Sequence, residues 1–226
     1  FSSLCMFDVL RRMAQDDKAA FIGALAFQLF AFSLVDLYYR GGWIEWESLQ
    51  YAAIALWSLV SFIDRIIFPT KTVSFLTLLF VASIALVLFI GCHPVQTLYM
   101  GIIVASLVVT YVFVKSNNFS QLIKSIAALL LVFLCGVGLS AWFWLPILHY
   151  YNDIKIVKQD VFLSAETTLP MLLWPWLHIA TDVSAGWAVQ LGLPISLSEF
   201  FLFIRWRKTS VMAKMVALLL LLLSLL

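Results

Sequence analysis

Residues 36–47, DLYYRGGWIEWE, set an aspartate, an arginine and two glutamates among glycines and aromatics, between two strongly apolar stretches. Arg40 offers a planar fork that matches a phosphate bidentately; its plain structural alternative is to reach past the lipid to the headgroups. Asp36 can touch a metal or a substrate hydroxyl, or else pair with Arg40 four residues on, a spacing that suits an acid and a base on one helical turn. Glu45 can act as a base or orient a hydroxyl, and equally can stabilise the N-terminus of the next helix, a role also open to Glu47. Trp43 is an interfacial aromatic in its ordinary role and a stacking platform in its functional one. Gly41 and Gly42 let the backbone turn sharply or come close to a ligand.

Two histidines extend this set. His93 precedes Pro94 between two apolar runs and can donate to a phosphate or exchange protons near neutral pH; its structural role is to cap carbonyls freed where Pro94 opens a helix. His149 follows Pro146, where a helix is expected to kink or end, and serves either as a cavity lining or as an interface anchor. His178 receives no chemistry. Glu199 lies inside an apolar run, where ionisable groups are functional candidates; a pair with Arg205 is its structural reading. Gly136 and Gly138 are expected to let helices pack closely.

The elements that carry these residues follow from composition. The chain has 226 residues, of which 64% are hydrophobic and 12% charged, with a mean hydropathy of +1.04. That excludes a soluble domain, and a net charge of +2 gives no reason to expect nucleic-acid binding. Cys5, Cys92 and Cys135 show no metal or disulfide spacing and are expected to be buried free thiols. Walker, GxSxG, HExxH, dinucleotide and EF-hand signatures are absent from the sequence.

Apolar runs cover residues 19–35, 50–63, 72–91, 95–114, 125–148, 186–204 and 211–226. About 20 residues of helix cross the hydrocarbon core, and the runs do not alternate as barrel strands do. The second run is short and is expected to borrow residues 46–51 or 66–68. The expected fold is therefore all-α, a polytopic transmembrane helix bundle of about seven spans plus a partial N-terminal helix. Residues 1–226 form one transmembrane region, and the chain is expected to be a fragment cut at both ends.

Eleven of the 14 Lys and Arg residues fall in alternate loops on one side, with Arg40, Lys155 and Lys158 on the other. By the excess of basic residues in cytoplasmic loops, residues 36–47 and 149–185 are extracytoplasmic. The sequon at Asn118 then lies inside and carries no glycan.

Residues 23–46, GALAFQLFAFSLVDLYYRGGWIEW, resemble a helix ending in aspartate followed by tyrosine, arginine, glycine and glutamate. That pattern is found in large bacterial and archaeal membrane proteins known as 6-pyruvoyl-tetrahydropterin synthase-related, which look like relatives of YfhO-like and GT-C glycosyltransferases. GCHPVQTL (91–98), GLSAWFWLPILHYY (138–151) and WAVQLGLPI (187–195) are similar to further motifs of the family, in the same order. Departures are His149, where an acid often follows the third motif's proline, and Gly42–Trp43, where smaller residues are common.

The resemblance implies a GT-C-like fold in the plasma membrane of a bacterium or archaeon, and a protein taking sugar from a polyprenyl-phosphate donor at the extracytoplasmic face, in cell-envelope glycan or glycolipid assembly. With such a donor, Arg40, Trp43, His93 and His149 are, by their own chemistry, the candidate substrate-binding residues. It places the catalytic carboxylate in an upstream loop, leaving Asp36 and Glu45 as the catalytic candidates within this chain. No cofactor is evident and no metal ligands are assigned, although carboxylates of this kind are compatible with a divalent metal. Membrane lipid and the lipid-linked sugar are the expected partners; no oligomeric state is implied. The alternative is a non-catalytic transporter or assembly factor for lipid-linked glycans.

Overall fold

A computed structural model describes residues 1–28, 43–69, 73–92, 94–149, 211, 214 and 215. Every regular element among them is helical: α1 (Ser2–Ala14), α2 (Asp17–Gln28), α3 (Trp43–Ile67), α4 (Phe75–Cys92), α5 (Pro94–Lys115), α6 (Phe119–Leu139) and α7 (Ala141–His149). The expected spans at 186–204 and 211–226, and the expected loop beyond His149, lie outside the described residues or touch them only at 211, 214 and 215.

Local sequence explains the boundaries. Gln15 takes a left-handed conformation with φ 56° and returns its N–H to Arg11, closing α1. Asp16 Oδ1 then accepts the backbone N–H groups of Lys18 and Ala19 at 2.9 and 3.2 Å, an N-cap that opens α2 in the reverse direction. Ser74 Oγ accepts from Thr77 N at 3.0 Å ahead of α4. Asn118 Oδ1 accepts from Gln121 N at 2.9 Å ahead of α6, while Gln121 Oε1 accepts from Asn117 N at 3.0 Å. Asn118 of the sequon is thus a helix cap.

Among the described residues, three helices contain stretches long and apolar enough to cross a membrane: Trp46–Ile67, Phe75–Cys92 and Phe119–Leu139. The short second run borrows residues at both ends to become α3, 25 residues and about 37 Å long. α3 is the centre of the bundle, with 61% of its span buried, against 22% for α4 and for α6. Phe62, Ile63, Val60 and Ala55 of α3 meet Val9 of α1, Ala82, Ala85 and Phe89 of α4, Val108 and Val112 of α5, and Val132 of α6. The opposite faces are apolar as well: Leu76, Phe80, Ile84 and Leu88 follow a four-residue spacing down α4, and Ile123, Leu130, Phe133 and Leu134 mark α6. An apolar surface of this extent is a liability in water and at home in hydrocarbon, consistent with an integral membrane protein.

Three local expectations are corrected. The break expected at Pro146 lies at Ser140, and α7 runs through Pro146 to His149. Ser140 Oγ and Trp144 Nε1 both donate to Val137 O, at 3.1 and 2.9 Å, fixing the turn before the proline is reached. Of the two glycines expected to permit close packing, only Gly136 does so: a Cβ there would lie 2.8 Å from Leu86 Cβ, whereas one at Gly138 would meet nothing within 4 Å. The three thiols are free, but only Cys5 is fully buried; Cys92 and Cys135 are half-buried.

Candidate functional site

Charge is arranged at two ends of the bundle. At one, Asp8 and Arg12 stand one turn apart on α1 and form an ion pair. Arg12 Nη1 reaches across to Asp64 Oδ2 of α3 at 2.9 Å, so a single guanidinium bridges two carboxylates. Asp8 also accepts from Trp57 Nε1 and from Arg11 Nη2, each at 3.0 Å. Asp64 Oδ1 receives the Tyr111 hydroxyl of α5 at 2.6 Å. Lys115 lies 5.8 Å from the Tyr111 ring centroid, and Arg65 Nε donates to Val73 O at 3.0 Å across the α3–α4 connection.

The chemistry open to this cluster is narrow. Each carboxylate oxygen already has a donor, and the three bridging side chains are only about a quarter exposed, at 22–28%. Such an arrangement fixes helices rather than offering a free base. Among the described residues, no group of three or more His, Cys, Asp or Glu could hold a metal ion.

The network also orients the helices. Arg12 beside Asp64, and Asp64 beside Tyr111, place the C-terminal ends of α1, α3 and α5 together. Arg11, Arg12, Arg65 and Lys115 lie in those last turns. α2, with Lys18, and α6, with Lys124, start from the same end. Six of the eleven basic residues expected on one side are thus gathered at one end of the bundle, while Lys71, Arg205, Arg207 and Lys208 lie outside the described residues.

The other end carries what is described of the expected site. Trp43 and Glu45 are placed by their backbone at the N-terminal end of α3. Glu47, exposed, lies near the same end of α3. α5 begins at this end with Pro94, and Thr97 Oγ1 donates to Phe89 O of α4 at 2.9 Å. α6 delivers α7 to this end, and α7 closes on the exposed His149. Asp36, Arg40 and His93 lie outside the described residues, as do the side chains of Trp43 and Glu45.

Asp8, Asp64, Tyr111 and Trp57 were not singled out by the sequence reading. A signal was present: Asp8 interrupts an apolar stretch and has an arginine four residues on, the spacing also seen at Asp36 and Arg40. Asp64 lies within the apolar run once that run is extended to Ile67. An acid inside such a run is a functional candidate on the same ground as Glu199.

Compared with known proteins, the chain matches no family model, and no curated protein and no solved structure is significantly similar to it.

Proposed function

We propose that this chain is part of a multi-pass plasma-membrane protein of a bacterium or archaeon that acts on a polyprenyl-phosphate-linked sugar at the extracytoplasmic face, in the manner of a GT-C glycosyltransferase. The observation that carries the reading is the gathering of basic residues at one end of the helices: with that end cytoplasmic, the start of α3, which follows the Asp36–Arg40 segment, opens outward. The four motif resemblances, taken in order, add the chemical class.

In this reading Arg40 holds the phosphate of the donor bidentately and neutralises it as it leaves. The acceptor hydroxyl oxygen attacks the anomeric carbon, the carbon–oxygen bond to phosphate breaks, and polyprenyl phosphate departs. A carboxylate, supplied upstream or by Asp36 or Glu45, takes the hydroxyl proton. Trp43 stacks on a sugar face, and His93 and His149 contribute donors near the phosphate. The GT-C-like fold with about seven spans belongs to the same proposal.

The test uses the full-length protein in membranes with a labelled polyprenyl-phosphate sugar. Arg40→Ala is expected to abolish transfer with expression and insertion near normal, and Arg40→Lys to retain part of it. Full activity of Arg40→Ala removes the phosphate assignment. Donor binding without transfer by the unaltered protein supports a non-catalytic transporter or assembly factor instead.

A further inference from the structure

The α1–α2 hairpin is attached to the bundle through α1. α3, α4, α5 and α6 share one apolar cluster, which Val9, Met6 and Met13 of α1 join. α2 packs chiefly on α1, with only Ala20 and Ala24 buried and Gly23 closely approached by Leu10. The hairpin therefore meets the bundle along the seam between α1 and α3.

Polar contacts run along the whole length of that seam beside the apolar ones. Ser2 donates to Gln50 at one end, Trp57 Nε1 donates to Asp8 in the middle, and Arg12 reaches Asp64 at the other end. Val9 and the edge of Phe1 against Trp57 supply apolar contact. In hydrocarbon, apolar faces gain little by meeting each other instead of lipid, so helix association depends on packing and polar contacts. Of these polar contacts, the Arg12–Asp64 pair is the one between two charged groups, at the basic end of the helices.

We propose that the Arg12–Asp64 pair is a latch, and that the α1–α2 hairpin moves as one unit away from α3 when the pair is opened. Asp8 keeps Arg12 in place within the hairpin after release, and Tyr111 keeps Asp64 on the bundle side. The division between the two moving parts crosses this contact, with the Asp8–Trp57 and Ser2–Gln50 hydrogen bonds beside it. The proposal concerns the basic end of the molecule and is independent of the reading of the opposite end.

The full-length protein in lipid nanodiscs, with Cys5, Cys92 and Cys135 replaced by serine, provides the test. Spin labels at the exposed positions Leu4 on α1 and Leu88 on α4 report the seam, and labels at Leu4 and Ile22 report the hairpin itself. Asp64→Asn is expected to raise the ratio of displaced to native Leu4–Leu88 distances about tenfold, with the Leu4–Ile22 distance unchanged. Asp64→Glu is expected to keep the native distribution. An unchanged Leu4–Leu88 distribution in Asp64→Asn overturns the latch. So does broadening of both pairs, which would make Asp64 a support of the hairpin's own fold, and so does an Asp64→Glu variant that opens as far as Asp64→Asn.

Discussion

The phenolic hydroxyl of Tyr111 donates to Asp64 Oδ1 at 2.6 Å, on the carboxylate whose other oxygen receives Arg12 at 2.9 Å. One aspartate thereby joins three helices, α1, α3 and α5, that are distant in the chain. It also explains how α3 carries a charge near its C-terminus without ending there. Desolvating a carboxylate costs several kcal/mol unless partners replace the water, and both oxygens of Asp64 have a protein donor.

Tyr111→Phe removes one of those donors and little volume. Because Asp64 remains about a quarter exposed, water can partly replace the hydroxyl, and a loss of about 1–2 kcal/mol is expected. Reversible unfolding in bilayer-mimicking micelles measures it. A variant as stable as the unaltered protein would show that the hydroxyl contributes nothing net to the α3–α5 contact.

The helices themselves were legible in the sequence because hydrocarbon demands continuous apolar segments of a set length, and the runs at 72–91 and 95–114 return as α4 and α5 with ends displaced by a few residues. The end of α3 was less legible. Asp64 and Arg65 look like a polar terminus, yet each finds a partner, Asp64 in Arg12 and Tyr111, and Arg65 in the Val73 carbonyl, so the helix continues to Ile67. Hidden altogether was the meeting of Asp8 with Asp64 across one guanidinium. Periodicity specifies which face a residue occupies on its own helix; it carries nothing about which distant helix will lie against that face. Likewise, Gly136 and Gly138 look alike in sequence, and only the placement of Leu86 separates them.

The gathering of Arg11, Arg12, Lys18, Arg65, Lys115 and Lys124 at one end gives sidedness a direct measurement. Single cysteines at Glu47 and Lys124, both exposed, are introduced into a protein without its native thiols. In intact cells a membrane-impermeant maleimide is expected to label position 47, and to label position 124 only after permeabilisation. Labelling from the same side at both positions would refute the opposed placement of the two ends. The reverse pattern would move the Asp36–Arg40 segment to the cytoplasm and remove the proposed access to an outer donor.

Gly136 and Gly138 make a paired test of the α4–α6 contact. A Cβ at Gly136 would stand 2.8 Å from Leu86 Cβ and 3.1 Å from its Cδ1. The first of these atoms is fixed to the backbone and cannot rotate away, so Gly136→Ala must push the helices apart. Forced overpacking of this kind costs about 1–3 kcal/mol. At Gly138 the added methyl enters open space on an exposed position, and alanine's better helix propensity, worth up to about 1 kcal/mol in water, makes Gly138→Ala neutral or slightly stabilising. Thermal unfolding of the two variants side by side distinguishes a packing glycine from a merely tolerated one. Equal loss in both would mean that helix flexibility in the 136–140 segment, and not the approach of Leu86, is what the glycines supply.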